Sequence, residues 1–390
     1  MFTIQQSCSA WRIICFKTTK PTPTAVWWSV KCHTGPEVVL QLNEQGAPHN
    51  QVTKRHRKER SLCQQVLERF DQQYSQELGD LWPSARAVLL DPHSWQYGVM
   101  LNRFTTVTGI TQILQSQGFS TLLPQTPSLS SPRPTLQCYI HPYPLRFPSQ
   151  AHRPGQLKQY YLLNAASLLP VLALQIRDGE KVLDLCSAPG GKALAITQCA
   201  TPALLCCNEP DPHRRDWLSK TLESFLPQSL ISRVIVSAQD GRSFGQSEAG
   251  TYDKVLVDAP CSNDRSWLYS CSSQQGEQRL KERARLPALQ TQLLRSALSA
   301  VRPGGAVVYS TCTLSSSENC AVVETVLNDC PEADPEDLWE EIAIPLAKYF
   351  TFSPAHPGHG QTPHKLGILV VPQPGKTWGP MFLSRIRRRK

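Results

Sequence analysis

The chain has 390 residues, of which 40% are hydrophobic and 18% are charged. This balance excludes a charge-rich disordered chain, and no apolar run approaches the roughly 18 residues that a transmembrane helix needs. The formal net charge of +9 indicates an anionic partner, while the 14 scattered cysteines match neither a zinc site nor a disulfide framework. We therefore expect a globular chain from a reducing compartment, with no metal and no membrane contact.

Residues 1–55 are predicted to form a targeting or disordered leader. The first 36 residues contain no Asp or Glu, and their basic residues are Arg12, Lys17, Lys20 and Lys31. A basic leader without acidic residues favours import into an organelle, and a disordered extension is the alternative.

A helical N-terminal domain is predicted for residues 56–123, followed by a proline-rich linker or strap for residues 124–156. Apolar residues recur at three- and four-residue spacing from Leu62 to Leu78, which predicts one apolar helix face. Between Pro124 and Pro154 there are eight prolines in 31 residues, and this density excludes a helix.

Residues 157–390 alternate short apolar runs with longer amphipathic stretches, which predicts a mostly parallel, doubly wound α/β sheet. Its strands are predicted at Lys181–Leu185, Leu204–Asn208, Val234–Ser237, Lys254–Val257 and Ala306–Thr311. The other predicted elements are a helix over Leu157–Leu174 that Pro170 kinks or ends, a helix over Pro287–Val301, a helix opened by a capping box of Ser315 and Glu318, and edge strands at Leu366–Val371 and Met381–Ile386.

Four polar patches follow predicted strands, where ligands of open α/β sheets bind. The first is a glycine turn that leads into a helix, whose N-terminus offers free N–H groups. The turn lacks the spacing of a phosphate loop, so it favours a ligand with a carboxylate tail, and a purely structural turn is the alternative. Its candidate binding residues are Cys186, Ser187, Ala188, Pro189, Gly190, Gly191 and Lys192.

The second and third patches follow the next two strands. Glu209 is placed to accept hydrogen bonds from ribose hydroxyls, although an acidic cap of the helix from Pro212 is the alternative. Asp240 and Gly241 are placed to meet a base, although alone they are typical of a turn.

The fourth patch combines Asp258 and Cys261, after one strand, with Cys312, after another. Adjacent strand ends would bring both thiols to one pocket. Because buried cysteines are usually inert, we interpret the other twelve as structural.

At these patches the sequence resembles the Sun-domain family of RNA cytosine-5 methyltransferases. The resemblance covers roughly residues 157–389 and rests on DLCSAPGGK at 184–192, DAPCS at 258–262 and STCT at 310–313. Ser187 stands where the family usually has alanine, a change that should leave the turn intact. The segments similar to the mitochondrial transfer-RNA branch of this family are 78–82, 160–167, 263–267 and 378–381.

The resemblance implies a Rossmann-like methyltransferase fold, S-adenosylmethionine as the cofactor, and methyl transfer to carbon-5 of a cytosine in RNA. It implies that Cys312 is the nucleophile at carbon-6, that Cys261 assists product release, and that Asp258 contacts the cytosine. Residue chemistry alone does not rank the two cysteines. The implied cofactor contacts are the turn Cys186–Lys192, Glu209 and Asp240, with Arg214, Gly241 and Asp258 as secondary positions.

The implied substrate is the anticodon wobble cytosine of mitochondrial methionine tRNA, which places the enzyme in the mitochondrial matrix. Candidate phosphate contacts are the basic runs Lys54–Arg60 and Arg385–Lys390, or each run is simply a solvated face. His356, His359 and His364 are interpreted as loop residues rather than metal ligands. We expect no DNA partner and no obligate protein partner.

Two alternatives remain at this level. A ribose 2′-O-methyltransferase would resemble the glycine turn but would need a lysine on the later strands, and none occurs between Lys281 and Lys348. A non-catalytic scaffold that binds RNA or a ribosomal partner would not need both Cys261 and Cys312.

Overall fold

The protein is described here from a computed structural model that covers residues 61–123, 136–270, 273–354 and 366–389. The predicted leader and the basic run Lys54–Arg60 lie outside these described residues. Their strands are β1 (Ser61–Leu62), β2 (Gly98–Leu101), β3 (Ser120–Thr121), β4 (Cys138–Ile140), β5 (Tyr160–Leu163), β6 (Lys181–Asp184), β7 (Leu204–Asn208), β8 (Val234–Ser237), β9 (Tyr252–Asp258), β10 (Tyr269–Ser270), β11 (Val301–Thr311), β12 (Ala333–Glu336), β13 (Phe352–Pro354), β14 (Ile368–Val370) and β15 (Met381–Arg388).

The helices connect these strands in the order that the sequence pattern predicts for the second half of the chain. They are α1 (Gln64–Leu78), α2 (Trp82–Leu90), α3 (Thr108–Ser116), α4 (Leu169–Leu174), α5 (Gly191–Cys199), α6 (Pro212–Phe225), α7 (Gln228–Ile231), α8 (Phe244–Ser247), α9 (Asp264–Trp267), α10 (Ser273–Arg283), α11 (Leu286–Ala300), α12 (Cys320–Asp329) and α13 (Ile344–Leu346). No helix in the described ranges is long and apolar enough to span a membrane.

The main sheet is Rossmann-like. Its parallel strands run β8-β7-β6-β9-β11, so the chain first builds outward from β6 and then returns to β6's other side at β9. This reversal makes the carboxyl ends of β6 and β9 the switch point where such sheets bind ligands. The predicted fold class and the five predicted parallel strands are confirmed.

Side-chain alternation along the strands gives the sheet two buried faces. Leu183, Val257 and Tyr309 belong to the core on one face, while Val182, Leu256 and Val308 belong to the core on the other. Each strand is therefore apolar on both sides, because helices cover both faces of the sheet.

The strand Met381–Arg388 is not an edge strand, contrary to the sequence prediction. β15 pairs antiparallel with β11 from Ala306 to Thr311, and its other side pairs with β14 and β12. β13 in turn covers β14. The apolar run could be recognised as a strand, but its neighbours are distant in sequence and only the folded chain determines them.

The N-terminal region is not purely helical. β2, β3, β4 and β5 form a separate four-stranded antiparallel sheet in the order β3-β4-β2-β5. β4 comes from the predicted proline-rich segment and β5 from beyond it, so this sheet joins chain segments on both sides of the predicted boundaries. The boundaries at residues 56, 124 and 157 stay a prediction.

The helix predicted over Leu157–Leu174 is wrong in its first half. Tyr160–Leu163 is strand β5, a short 3₁₀ turn follows, and α4 begins at Leu169 with Pro170 in its first turn. Proline is tolerated there because the first helical N–H groups have no partner within the helix. Pro170 therefore starts this helix and does not kink or end it.

Candidate active site

The two cysteines of the fourth patch lie side by side. Asp258 ends β9 and pairs in register with Ser310 of β11, so the loops that follow both strands leave the same edge of the sheet. The Sγ atoms of Cys261 and Cys312 are 3.2 Å apart, and the Cys312 backbone N–H donates to the Cys261 sulfur at 3.3 Å. Both are free thiols and partly exposed. The structure thus brings together the two sulfurs that the sequence separates by 51 positions.

The neighbouring sulfur controls the charge of Cys312. Its hydrogen bond with Cys261, followed by burial, raises the pKa of the Cys312 thiol well above its ordinary value, while the charge of Lys192 acts in the opposite direction. Cys312 is therefore a thiol at neutral pH in this state.

Lys192 and Asp258 form a pair beside these sulfurs. The Lys192 ammonium donates to Asp258 Oδ2 at 2.9 Å, and the Ser310 hydroxyl donates to Asp258 Oδ1 at 2.9 Å. Burial acts to lower the pKa of Lys192, but the charge and hydrogen bond of Asp258 outweigh it and hold that pKa above its ordinary value. Lys192 is therefore not a surface lysine: its side chain is 12% exposed and stays charged. Sequence reasoning missed Ser310 as the third member.

The glycine turn lies next to this pair, between β6 and α5. Gly190 adopts φ +105°, a left-handed conformation that favours glycine, and α5 begins at Gly191. The Ser187 hydroxyl donates to the buried carboxylate of Asp184 at 2.8 Å, so this departure from the family pattern has a bonding role. Burial raises the pKa of Cys186 well above its ordinary value, which makes it an unreactive thiol.

Glu209 and Arg214 connect the second patch to this turn. Glu209 Oε2 lies 3.3 Å from the Arg214 guanidinium, which also donates to the carbonyl of Ala188 at 3.0 Å. The patch also supplies the acidic helix cap that was the alternative: Asp211 accepts from the Arg214 backbone N–H and caps α6, while Glu209 pairs with Arg214.

The third patch continues the same edge at the end of β8. Asp240 is about half exposed and pairs with Arg242 at 2.5 Å. Gly241 is buried, and a Cβ at this position would lie 2.7 Å from Leu293 Cδ2 of α11. Glycine at 241 therefore lets α11 pack directly against this edge of the site.

A buried polar cluster lies beneath the two cysteine loops, and sequence reasoning did not identify it. We define the cluster by its members Tyr74, Ser262, Asp264, Arg283, Thr313 and Glu318. Glu318 accepts from both the backbone N–H and the hydroxyl of Ser262, at 2.9 and 2.6 Å. Ser262 directly follows Cys261 in the chain, so Glu318 supports the loop that carries this cysteine. The predicted capping box is therefore wrong: Ser315 makes no capping bond, and Glu318 serves a loop 56 positions away.

Asp264 holds the other loop. One of its oxygens accepts from the Thr313 hydroxyl at 2.8 Å and the other accepts from the Leu314 N–H at 2.7 Å. Tyr74 of α1 donates to Asp264 at 3.0 Å and accepts from Arg283 at 2.8 Å. The N-terminal helix thus contributes directly to the support of the loop that carries Cys312.

The predicted phosphate contacts at the C-terminus are largely used inside the protein. Arg385 pairs with Glu336 and Glu341, and Arg387 pairs with Glu336. Arg389 pairs with Asp334, and Arg388 donates to main-chain carbonyls of Leu298 and Val301 at the end of α11. This run fastens β15 to β12 and is not a free basic face. Lys390, the other basic run and the three loop histidines lie outside the described residues.

Comparison with known proteins identifies the family. The family described as 16S rRNA methyltransferase RsmB/F matches residues 171–358. The mitochondrial tRNA (cytosine(34)-C(5))-methyltransferase of Danio rerio is 57% identical over 333 residues, which cover 85% of this chain and 89% of that protein. The chain belongs to the Sun-domain family of RNA cytosine-5 methyltransferases.

Other relatives agree with this assignment. The Mus musculus protein of the same name is 50% identical over 84% of this chain and 92% of its own length. The 5-cytosine rRNA methyltransferase NSUN4 of Mus musculus is 37% identical over 83% and 88%. The structure of NSun6 from Pyrococcus horikoshii with SFG shares the fold, with a TM-score of 0.60 and 16% identity over 84% of this chain and 98% of that chain.

The enzyme is therefore an S-adenosylmethionine-dependent methyltransferase. The two alternatives, a ribose 2′-O-methyltransferase and a non-catalytic scaffold, are excluded by this family assignment. The residues present fit this cofactor. The first N–H groups of α5 suit a carboxylate, the buried Glu209 carboxylate suits ribose hydroxyls, and Asp240 suits an amino group. All three lie in order along the carboxyl ends of β6, β7 and β8.

Proposed function

We propose that this enzyme methylates the cytosine at position 34 of a mitochondrial tRNA, specifically the methionine tRNA, in the mitochondrial matrix. Two relatives with at least 50% identity carry the name mitochondrial tRNA (cytosine(34)-C(5))-methyltransferase. The observation that carries the chemistry is the 3.2 Å approach of Cys261 and Cys312 beside the Lys192–Asp258 pair.

Cys312 is proposed as the nucleophile. Its thiol proton passes to solvent, and the resulting thiolate adds to carbon-6 of the cytosine, which moves the electron pair of the double bond to carbon-5. Asp258 accepts a hydrogen bond from the cytosine amino group, and the hydrogen bond from Lys192 holds the Asp258 side chain in place. S-adenosylmethionine supplies the methyl group that carbon-5 receives.

Cys261 is proposed to complete the reaction. Once its own thiol proton has passed to solvent, the Cys261 thiolate accepts the carbon-5 proton, the double bond between carbon-5 and carbon-6 re-forms, and the bond from Cys312 to carbon-6 breaks. Cys312 leaves with the electron pair of that bond, so proton and charge are balanced. The hydrogen bond between the two sulfurs places acceptor and leaving group side by side.

The roles are tested by trapping. RNA that contains 5-fluorocytosine should form a cofactor-dependent covalent complex, because fluorine at carbon-5 prevents the proton loss that release requires. Cys312→Ala should form none, whereas Cys261→Ala should accumulate adduct on ordinary RNA. Cys330→Ala, a partly buried thiol at the end of α12, is the matched control and should behave as wild type. Adduct formation by Cys312→Ala would reverse the assignment.

The substrate is tested in cells. Bisulfite sequencing of mitochondrial RNA should show a methylated cytosine at position 34 of methionine tRNA only when the enzyme is present. The location of the enzyme is tested with a reporter protein fused to residues 1–55. This fusion should be protected from added protease inside intact mitochondria. Unchanged methylation after deletion of the enzyme would contradict the proposed substrate.

A further inference from the structure

Arginine side chains lie over two aromatic rings, Trp95 and Tyr97, that flank Gln96 in the sequence. The Arg265 guanidinium is 4.5 Å from the ring centroid of Trp95, and that of Arg146 is 4.9 Å from the ring centroid of Tyr97. Tyr143 lies nearby in sequence and is 71% exposed. We call these five residues, Trp95, Tyr97, Tyr143, Arg146 and Arg265, the arginine–aromatic strip.

Hydrogen bonds through Gln96 hold three chain segments of the strip together. Arg265 donates to the carbonyl of Thr377. Thr377 exchanges hydrogen bonds with buried Gln96, through Gln96 N to Thr377 Oγ1 at 2.9 Å and Thr377 N to Gln96 Oε1 at 2.8 Å. The Gln96 amide then donates to the carbonyls of His141 and Pro142, both at 3.0 Å. The strip is therefore a fixed surface.

One end of the strip lies at the cysteine pair. Asp264, which precedes Arg265, accepts from Thr313 and Leu314 in the loop that carries Cys312. Burial lowers the pKa of Arg265 to about 10, and the charges of Tyr97 and Cys312 act in the opposite direction. Arg265 is thus within electrostatic range of both the proposed nucleophile and the next aromatic ring of the strip. Its Nε is buried and makes no hydrogen bond within the described part of the chain.

We propose that the arginine–aromatic strip binds the unpaired RNA nucleotides that flank the target cytosine. This inference rests on the proposed function, because it takes RNA as the substrate. Single-stranded nucleic acid is bound by aromatic faces that stack on bases and by cations that follow the phosphates, and the strip offers both. Tyr97 and Tyr143 provide the stacking faces, Arg146 provides the cation for a phosphate, and Arg265 adds positive charge from a buried position beneath them.

The strip also favours unpaired RNA over a duplex. Paired bases hide their faces from protein side chains, whereas the bases of a loop can be splayed onto aromatic rings. A cytosine in an unpaired loop is also the form whose carbon-6 a thiol can reach without paying for base-pair opening. The position of the strip next to Cys312 therefore matches a substrate that presents its cytosine in a loop.

The test measures RNA binding by the full-length protein. The probes are an RNA hairpin with the cytosine in its loop and a duplex of the same sequence. Tyr143→Ala should weaken hairpin binding about tenfold, the usual loss for one base stack. Arg146→Ala should reduce the slope of log affinity against log salt by about 0.7, the value for one phosphate contact on a single strand. Duplex binding should change much less.

Matched controls use exposed residues elsewhere. Trp217→Ala on α6 removes an aromatic ring that is 44% exposed, and Arg233→Ala removes an exposed arginine beside β8. Both should bind the hairpin like wild type. Cofactor affinity and the thermal midpoint should be unchanged in Tyr143→Ala, because this side chain is largely in solvent.

The outcomes separate this inference from the proposed function. If wild type methylates the hairpin but Tyr143→Ala and Arg146→Ala bind and methylate it equally well, the strip is not an RNA surface. If wild type neither binds nor methylates the hairpin, the proposed function fails. If an acidic peptide displaces the hairpin and binds the strip variants more weakly than wild type, the surface binds protein and our inference is overturned.

Discussion

The charged groups beneath the two cysteines are buried, whereas those along the cofactor edge become progressively exposed. Glu318 and Arg283 have side chains that are 0% and 9% exposed, and Asp240 and Arg242 are 51% and 47% exposed. A buried charge needs its partner, because loss of one leaves the other without solvation. The cysteine loops are therefore held by buried ion pairs that are costly to break, while the ends of β7 and β8, where we propose that the cofactor binds, are held by more exposed pairs that cost little to break.

Removal of the central cation should damage the buried side most. Arg283→Met leaves Asp264 and Glu318 without their compensating charge, so we expect a loss of about 3–5 kcal/mol in the free energy of unfolding. Urea denaturation measures it. Arg295→Met, which breaks an exposed pair with Asp329, is the control and should cost less than about 1 kcal/mol. Equal losses in the two variants would remove the contrast between buried and exposed charge.

A pH-dependent effect should appear where the two regions meet, beneath the glycine turn. Burial raises the pKa of Asp184 to about 7, against about 3.9 in an unfolded chain. Because the folded state prefers the protonated form, the contribution of Asp184 to the free energy of unfolding is fully present below about pH 4. This contribution is lost as pH rises through about 7. Asp184→Asn should therefore flatten the fall in thermal midpoint between pH 5 and pH 8, by at least about 2–4 °C.

A second variant, Ser187→Ala, tests the direction of the Asp184 pKa shift independently. The Ser187 hydroxyl bonds to Asp184 and lowers its pKa. In Ser187→Ala, the pH range over which the thermal midpoint falls should thus shift upward, but the fall itself should remain. Part of the fall in stability should survive in Asp184→Asn, because burial also raises the pKa of Asp264 to about 6. Parallel curves for wild type and Asp184→Asn would show that Asp184 does not titrate in this range.

The smallest effects should come from the exposed edge. Arg242→Met breaks the exposed pair with Asp240 and should change the free energy of unfolding by less than about 1 kcal/mol. Glu209→Gln is its buried counterpart on the same edge and should weaken cofactor binding by about tenfold or more, because a charged hydrogen bond contributes about 1.5–3 kcal/mol. Calorimetry with S-adenosylmethionine compares them. If Glu209→Gln and Arg242→Met bound the cofactor with comparable affinity, the contrast between the buried Glu209 and the exposed Arg242 would have no effect on cofactor binding.

Local pattern was sufficient for the parallel strands and for the approach of Cys261 to Cys312. Both cysteines follow strands, and parallel neighbours end at one edge, so topology alone brings them close. These features could be predicted because each depends on one strand end and on the general rule for the sheet.

The local sequence pattern gave the wrong prediction where a partner distant in the sequence determines the structure of a segment or the role of a side chain. Tyr160–Leu163 is apolar enough for a helix, yet it pairs with Gly98–Leu101. Glu318 follows Ser315 at capping-box spacing, yet its carboxylate is taken by Ser262. The arginines of β15 read as a basic tail, yet Glu336 and Glu341 neutralise them. In each case the competing contact is invisible to a short sequence window.

The hydroxyl of Tyr74 has a consequence for how the enzyme assembles. It meets Asp264 and Thr313 across 190 and 239 positions of the chain. Such a contact forms only when distant parts of the chain come together, so the support for Cys312 depends on α1 as well as on the sheet. A fragment limited to residues 171–358 would contain both thiols and still lack this support. The support of the Cys312 loop therefore extends beyond the segment that the family model matches and includes α1.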